Sequence, residues 1–155
     1  MKLIGEILME TKGLSEEALA AALGIQVEKG GRIGEILIRQ KVISEDDLLE
    51  ALGIQFGLTF SPTLPTGDLQ TDFTEHVPIQ FLKKYTMVPV ITEEDTLIAI
   101  NDPLLFQPID DLRLLLGLNG TDVVLSSNAT ILSAINMAYD MSQRSAEQVI
   151  EGMHE

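Results

Sequence analysis

Arg32, Gly34 and Gln55 are the residues of this chain best suited to hold a small anion or a purine. An arginine that follows Gly30-Gly31, where a helix reads as beginning, sets a planar fork of donors beside free backbone N–H groups, which suits a phosphate or a guanine edge. Gly34 sits in an otherwise good helical run, where glycine costs about 1 kcal/mol against alanine. Its missing side chain lets another backbone or a flat ligand approach closely. Gln55 adds amide donors and an acceptor. Twenty-nine residues earlier, Gly5 and Gln26 stand at the same spacing, but Leu3 occupies the place of Arg32.

Other chemistries find no residues to run them. There is no G-x-x-x-x-G-K-[ST] phosphate loop, and "EKGGRIGE" lacks the lysine and a preceding strand. The two histidines, His76 and His154, are far apart without a second ligand at metal spacing, so each reads as a surface residue and no metal is expected. With no cysteine there is neither thiolate nucleophile nor disulfide. The carboxylate pairs (Glu16-Glu17, Asp46-Asp47, Glu93-Glu94, Asp110-Asp111) read as solvated faces and helix starts, and no Ser–His–Asp set can be assembled. The polypeptide is therefore expected not to be an enzyme by itself.

The elements that must position Arg32 and its counterparts form a tandem repeat. "LIGEILMETKGLSEEALAAALGIQ" (residues 3–26) returns as "RIGEILIRQKVISEDDLLEALGIQ" (residues 32–55) after a five-residue spacer, Val27 to Gly31. In the first copy Leu3, Ile4, Ile7 and Leu8 recur at helical spacing until Lys12-Gly13. Ser15 then reads as an N-cap, with Leu19, Ala22, Leu23 and Gln26 along the next helix. The second copy repeats this with Ile33, Ile36 and Leu37, a break near Lys41, Ser44 as N-cap with Asp47 three residues on, then Leu48, Leu52 and Gln55. Each helix is too short to stand alone, so the four must pack together.

Beyond this, Pro62, Pro65 and Gly67 mark an irregular linker. "VPIQFLKKY" reads as a helix with Pro78 in its first turn, and "MVPVITEE" and "TLIAIND" as strands around an acidic turn. "FQPIDDLRLLLG" reads as an amphipathic helix closed by Gly117, "DVVLSS" as a strand, and "NATILSAINMAYD" as a last helix capped by Asn128. The expected fold is α+β: a four-helix unit from the tandem motif, then a small α/β sandwich of order α-β-β-α-β-α. The boundaries read as 1–58 for the helical subdomain, 59–72 for a linker, 73–142 for the sandwich and 143–155 for a tail with little apolar periodicity.

Composition narrows the partners. The 155 residues are 45% hydrophobic but only 5% aromatic, so aliphatic side chains must build the core. A net charge of −14 repels nucleic acid and anionic lipid. The N-terminal "MKLIGEILMETKG" is too short and too broken by Glu6 and Glu10 for a signal peptide or a membrane span. A cytoplasmic protein is expected.

The doubled form R-L-G-x-x-L, ten residues, L-x-x-x-L-x-x-Q resembles the tandem motif of the N-terminal cyclic di-GMP-binding domain of bacterial type II secretion and type IV pilus assembly ATPases. In the second copy Arg32, Ile33, Gly34, Leu37, Leu48, Leu52 and Gln55 fall on motif positions. In the first, Ile4, Gly5, Leu8, Leu19, Leu23 and Gln26 match, and Leu3 stands where Arg belongs. "PIQFLKKYTMVPVITEEDTLIAINDPLLFQPIDDLRLLLG" is similar to the same family's second subdomain, so the resemblance spans about residues 3–142.

This resemblance implies a regulatory and docking domain whose ATP- and magnesium-binding core lies downstream. The parent would be a homo-hexamer, cytoplasmic but peripheral to the inner membrane through a platform protein. No cofactor is implied here, and cyclic di-GMP is the possible ligand, each motif embracing one half of it. Asp102, in the "NDP" turn, is a candidate to add a carboxylate to a guanine edge. Losing the first motif's arginine removes a charged contact worth about 1.5–3 kcal/mol, roughly 10- to 100-fold in affinity. Neighbouring Lys2 lacks arginine's planar fork. Two functions remain open: a second-messenger sensor whose Arg32 half carries more of the affinity, or a protein-docking module that keeps the motif as scaffold. An unrelated helical adaptor is a third.

Overall fold

The computed structural model describes residues 2–153, with side chains through residue 146. The chain divides into two compact units, residues 1–60 and 61–155.

The first unit holds four helices: α1 (Ile4–Lys12), α2 (Glu16–Lys29), α3 (Ile33–Arg39) and α4 (Glu45–Phe56). Both expected serine caps form. The Ser15 hydroxyl accepts from the Ala18 N–H, and Ser44 builds a full capping box, its hydroxyl accepting from the Asp47 N–H at 3.1 Å while Asp47 accepts from the Ser44 N–H at 3.0 Å. The core of this unit is made of matched pairs. Ile7 and Ile36, Leu8 and Leu37, Leu14 and Ile43, and Ala22 and Ala51 are all buried in one cluster, each pair separated by the repeat length. Pairing is crosswise: α1 packs on α4 and α2 on α3, so each copy's first helix lies against the other copy's second.

The second unit follows the expected order. After a 3-10 turn at Asp72–Glu75 come α5 (Ile79–Tyr85), β2 (Met87–Ile91), β3 (Thr96–Ile100), α6 (Phe106–Leu116), β4 (Asp122–Leu125) and α7 (Asn128–Met153). β2 and β3 form an antiparallel hairpin with Val88 opposite Ala99, and β4 lies parallel to β3 with Val123 opposite Ile98. Within this unit the strands run in the order β4-β3-β2, and a two-residue strand, β1 (Thr59–Phe60), ends the first unit. Pro89, which has no N–H to give, is tolerated because β2 is an edge strand. Gly117 takes the left-handed cap of α6 at φ 65°. Ile98, Ile100, Leu112, Leu125, Ile131 and Ile135 are fully buried. The Tyr139 hydroxyl donates to the Val77 carbonyl, and burial pushes its pKa up to about 12.

Three local expectations change. Ser127, not Asn128, caps α7, its hydroxyl accepting from the Thr130 N–H at 3.2 Å. The start of the second unit falls inside the expected 59–72 linker, where the Ser61 N–H donates to the Leu125 carbonyl at 2.7 Å and the Ser61 carbonyl accepts from the buried Ser126 hydroxyl at 2.7 Å. Finally, α7 continues through most of the expected tail, to Met153. His76 is exposed, and His154 lies outside the described residues.

Candidate functional site

The two motif openings have the same backbone. Leu3 (φ −73°, ψ 150°) and Arg32 (φ −89°, ψ 139°) are extended residues at the heads of α1 and α3, and their carbonyls accept from the Ile7 and Ile36 N–H groups, both at 3.1 Å. Neither side chain caps its own helix. Both are exposed, Leu3 to 68%. With seven residues, α3 lends little dipole, so recognition at Arg32 would rest on its guanidinium.

The motif glutamines form a reciprocal pair of latches. Gln26 donates from Nε2 to the Gly31 carbonyl at 3.0 Å, and Gln55 donates from Nε2 to the Lys2 carbonyl at 3.2 Å. Gly31 precedes Arg32 and Lys2 precedes Leu3. Each copy's closing glutamine therefore holds the backbone just ahead of the other copy's opening residue. Sequence order grouped Arg32 with Gln55, but the fold sets Gln26 beside Arg32 and Gln55 beside Leu3. The motif's period groups each glutamine with its own copy; the Gln26 bond spans the short turn between α2 and α3, and the Gln55 bond follows from the packing of α4 on α1.

The repeated glycines have a packing reason. A Cβ on Gly5 would stand 2.9 Å from Leu19 Cδ1, and one on Gly34 only 2.6 Å from Leu48 Cδ1. The leucine of each second helix thus lies over the glycine of its own first helix. Leu8 and Leu37 are fully buried, so any part they play in binding is played through packing. Ile4, Ile33, Leu19, Leu48 and Leu52 are half-buried, and Leu23 is 45% exposed. Asp102 lies in the other unit, where its carboxylate accepts from the Leu104 N–H at 2.9 Å and shapes its own turn after β3.

Electrostatics separate the two openings. Near Leu3 the neighbouring cation is Lys2, whose ammonium sits on the Glu10 carboxylate at 2.8 and 2.9 Å; that hydrogen-bonded pairing raises the lysine pKa. The corresponding positions of the second copy hold Gly31 and Arg39. From Arg32 to Lys41 the second copy sets Arg32, Arg39 and Lys41 against Glu35, whereas from Leu3 to Lys12 the first sets Lys12 against Glu6 and Glu10. Lys12 bonds Glu50 and approaches Asp47 at 3.7 Å, tying α1 to α4. The first-copy counterparts of those carboxylates are Ala18 and Ala21.

A helical unit built from a tandem motif, with Arg32 and Gln26 at one opening and Leu3 and Gln55 at the other, followed by a small α/β sandwich, defines a tandem-motif domain. The chain belongs to the MshEN domain family, which matches residues 52–145, the close of the second copy and most of the α/β unit. This bears out the resemblance to the N-terminal domains of secretion and pilus assembly ATPases. A solved structure of MshE with cdg (cyclic di-GMP) is similar to 90% of this chain and 100% of its own, at 24% identity and a TM-score of 0.72. Two crystal forms of the N-terminal domain of XpsE, each 24% identical over 88% of this chain, cover 97% and 98% of their own chains with TM-scores of 0.58 and 0.53. These likenesses carry the fold. No curated protein matches. Among the described residues no helix is long and apolar enough to cross a membrane.

Proposed function

We propose that this chain is the N-terminal regulatory and docking domain of a secretion or pilus assembly ATPase, and that its tandem unit binds a cyclic dinucleotide across two unequal half-sites. The parent's ATP and magnesium chemistry belongs to a core outside residues 1–155. The domain works in the cytoplasm, held at the inner membrane by a platform protein and arrayed as part of a homo-hexamer. The observation that carries the ligand reading is the reciprocal latch. It sets one polar pair, Arg32 with Gln26, opposite a twofold-related pair, Leu3 with Gln55, on a core of matched residues. A twofold site suits a ligand with two purine halves, and the MshE structure holds such a ligand.

Titration calorimetry of the chain with cyclic di-GMP tests this. Saturable binding of one dinucleotide per chain is expected, with Arg32→Ala weakening it at least tenfold. Absence of heat from the folded wild type would remove this ligand. A second reading, docking on a lapsed site, is favoured by Leu3, which brings no polar group to its opening. If the wild type is silent and Leu3→Arg gains binding, the site has lapsed and docking survives as the function. If Leu3→Arg is folded and also silent, the motif is scaffold. Recovery of an inner-membrane platform component by the full ATPase but not by this domain would move docking elsewhere in the parent.

A further inference from the structure

We infer that the tandem unit prefers a mixed purine cyclic dinucleotide, with guanine at the Arg32–Gln26 half and adenine at the Leu3–Gln55 half; this rests on the dinucleotide reading above. The two halves agree in backbone, in latch, in buried core and in the leucine laid over the glycine. They differ in the group that would read a base. Guanine presents two acceptors, O6 and N7, along one edge, and a guanidinium presents two parallel donors that fit them. Adenine presents N7 as acceptor beside N6 as donor, so the same guanidinium meets a donor there. An amide is the complement of adenine's edge, because it offers a donor beside an acceptor.

At Leu3 the guanidinium is gone, and Lys2 is engaged by Glu10. Gln55 remains. Its latch to the Lys2 carbonyl uses one of the two Nε2 hydrogens, leaving the amide a second N–H and Oε1. Leu3, 68% exposed, supplies apolar area for a purine face without favouring either base. A site whose symmetry is broken at one position gains no advantage from a symmetric ligand, and here the broken half keeps the adenine-type reader.

The test is calorimetry of the full chain and of Leu3→Arg with three probes: cyclic di-GMP, 3′,3′-cyclic GMP–AMP and cyclic di-AMP. For the wild type, cyclic GMP–AMP should bind more tightly than cyclic di-GMP, and cyclic di-AMP at least tenfold more weakly than the mixed ligand, since one of its adenines must face Arg32. Leu3→Arg should reverse the order, favouring cyclic di-GMP over the mixed ligand by about tenfold or more. Leu3 is exposed, and an unchanged melting profile will confirm that the variant folds. Gln55→Leu should weaken the mixed ligand more than cyclic di-GMP. A wild type that binds cyclic di-GMP as tightly as the mixed ligand, or more tightly, overturns the inference and leaves the dinucleotide reading intact. So does a Leu3→Arg variant that tightens both ligands equally, because arginine at that position would then be holding phosphate. If the wild type binds none of the three, the dinucleotide reading falls and this inference with it.

Discussion

The two copies of the motif are the same fold written under different electrostatic constraints. Their apolar positions agree almost residue for residue, down to the burial of Gly5 with Gly34 and Leu8 with Leu37. Their charged positions do not. The second copy has a full capping box, Arg32, and carboxylates at Asp47 and Glu50 that receive Lys12 from α1. The first has a single hydroxyl cap, Leu3, and alanines at the places of those carboxylates. Packing is therefore held symmetric by the shared core, while surface chemistry has been free to diverge. An asymmetric ligand or partner can then be served by a symmetric scaffold.

The largest test of that comparison is in the core. Leu8→Ala and Leu37→Ala should each cost about 2–5 kcal/mol and, because both leucines are fully buried at matched sites, should agree within about 1 kcal/mol in denaturant unfolding. A large disparity would break the symmetry of the scaffold.

Caps come next. Ser44→Ala removes one arm of a two-way box and should cost about 1–2 kcal/mol, more than Ser15→Ala at about 1 kcal/mol. Hydrogen bonds from Ser44, chiefly its backbone N–H, and then the charge of Lys12 hold the Asp47 pKa below its ordinary 3.8. A carboxylate with a lowered folded pKa contributes stability that is complete above the unfolded value and lost as pH falls through the folded one. Melting temperature followed from pH 6 downward should thus fall below about pH 4, and Asp47→Ala should flatten part of that fall.

The glycines give a smaller and unequal pair of effects. At Gly34 an added Cβ comes to 2.6 Å of Leu48 and 3.3 Å of its branching carbon, so strain outweighs the helix-propensity gain and Gly34→Ala should lose about 1 kcal/mol. At Gly5 the nearest atom is 2.9 Å away and the branching carbon 3.6 Å, so Gly5→Ala should be near neutral. Equal losses would mean that the two leucines have the same freedom to move.

The smallest effects lie on the surface. Lys12→Ala should lower the melting temperature slightly, and added salt should erase the difference, whereas Lys41→Ala should change nothing measurable. Lys41 stands at φ 61°, a left-handed conformation that suits glycine, so Lys41→Gly should gain about 0.5 kcal/mol.

Much of this architecture was legible because the physics was local. Ser15 and Ser44 announced caps, Gly117 a helix end, and the β-rich runs around the acidic turn Glu93–Asp95 two strands. β1 escaped because two residues carry no period, and Ser127 because Asn128 beside it is as good a capping residue. The candidate site was half legible. Arg32, the glycines and the glutamines stood out by spacing, yet spacing could not say that Gly5 and Gly34 make room for Leu19 and Leu48, nor that Gln26 belongs with Arg32. The first depends on how α2 and α4 fold back on α1 and α3, and the second on the turn between α2 and α3, neither of which repeats with the motif.

The crosswise glutamine bonds carry a meaning for how such a unit could arise. Each copy contributes the same surface to the other and receives the same surface back, which is the self-complementary contact of a twofold homodimer. The tandem unit is in effect a dimer whose two subunits are joined by Val27–Gly31, and the join acts as a tether that raises the local concentration of one half around the other. Once the halves share a chain they no longer share a sequence: a change in one is not copied into its mate. A duplicated and fused gene can therefore do what a homodimer cannot, and keep Arg32 while its twin becomes Leu3.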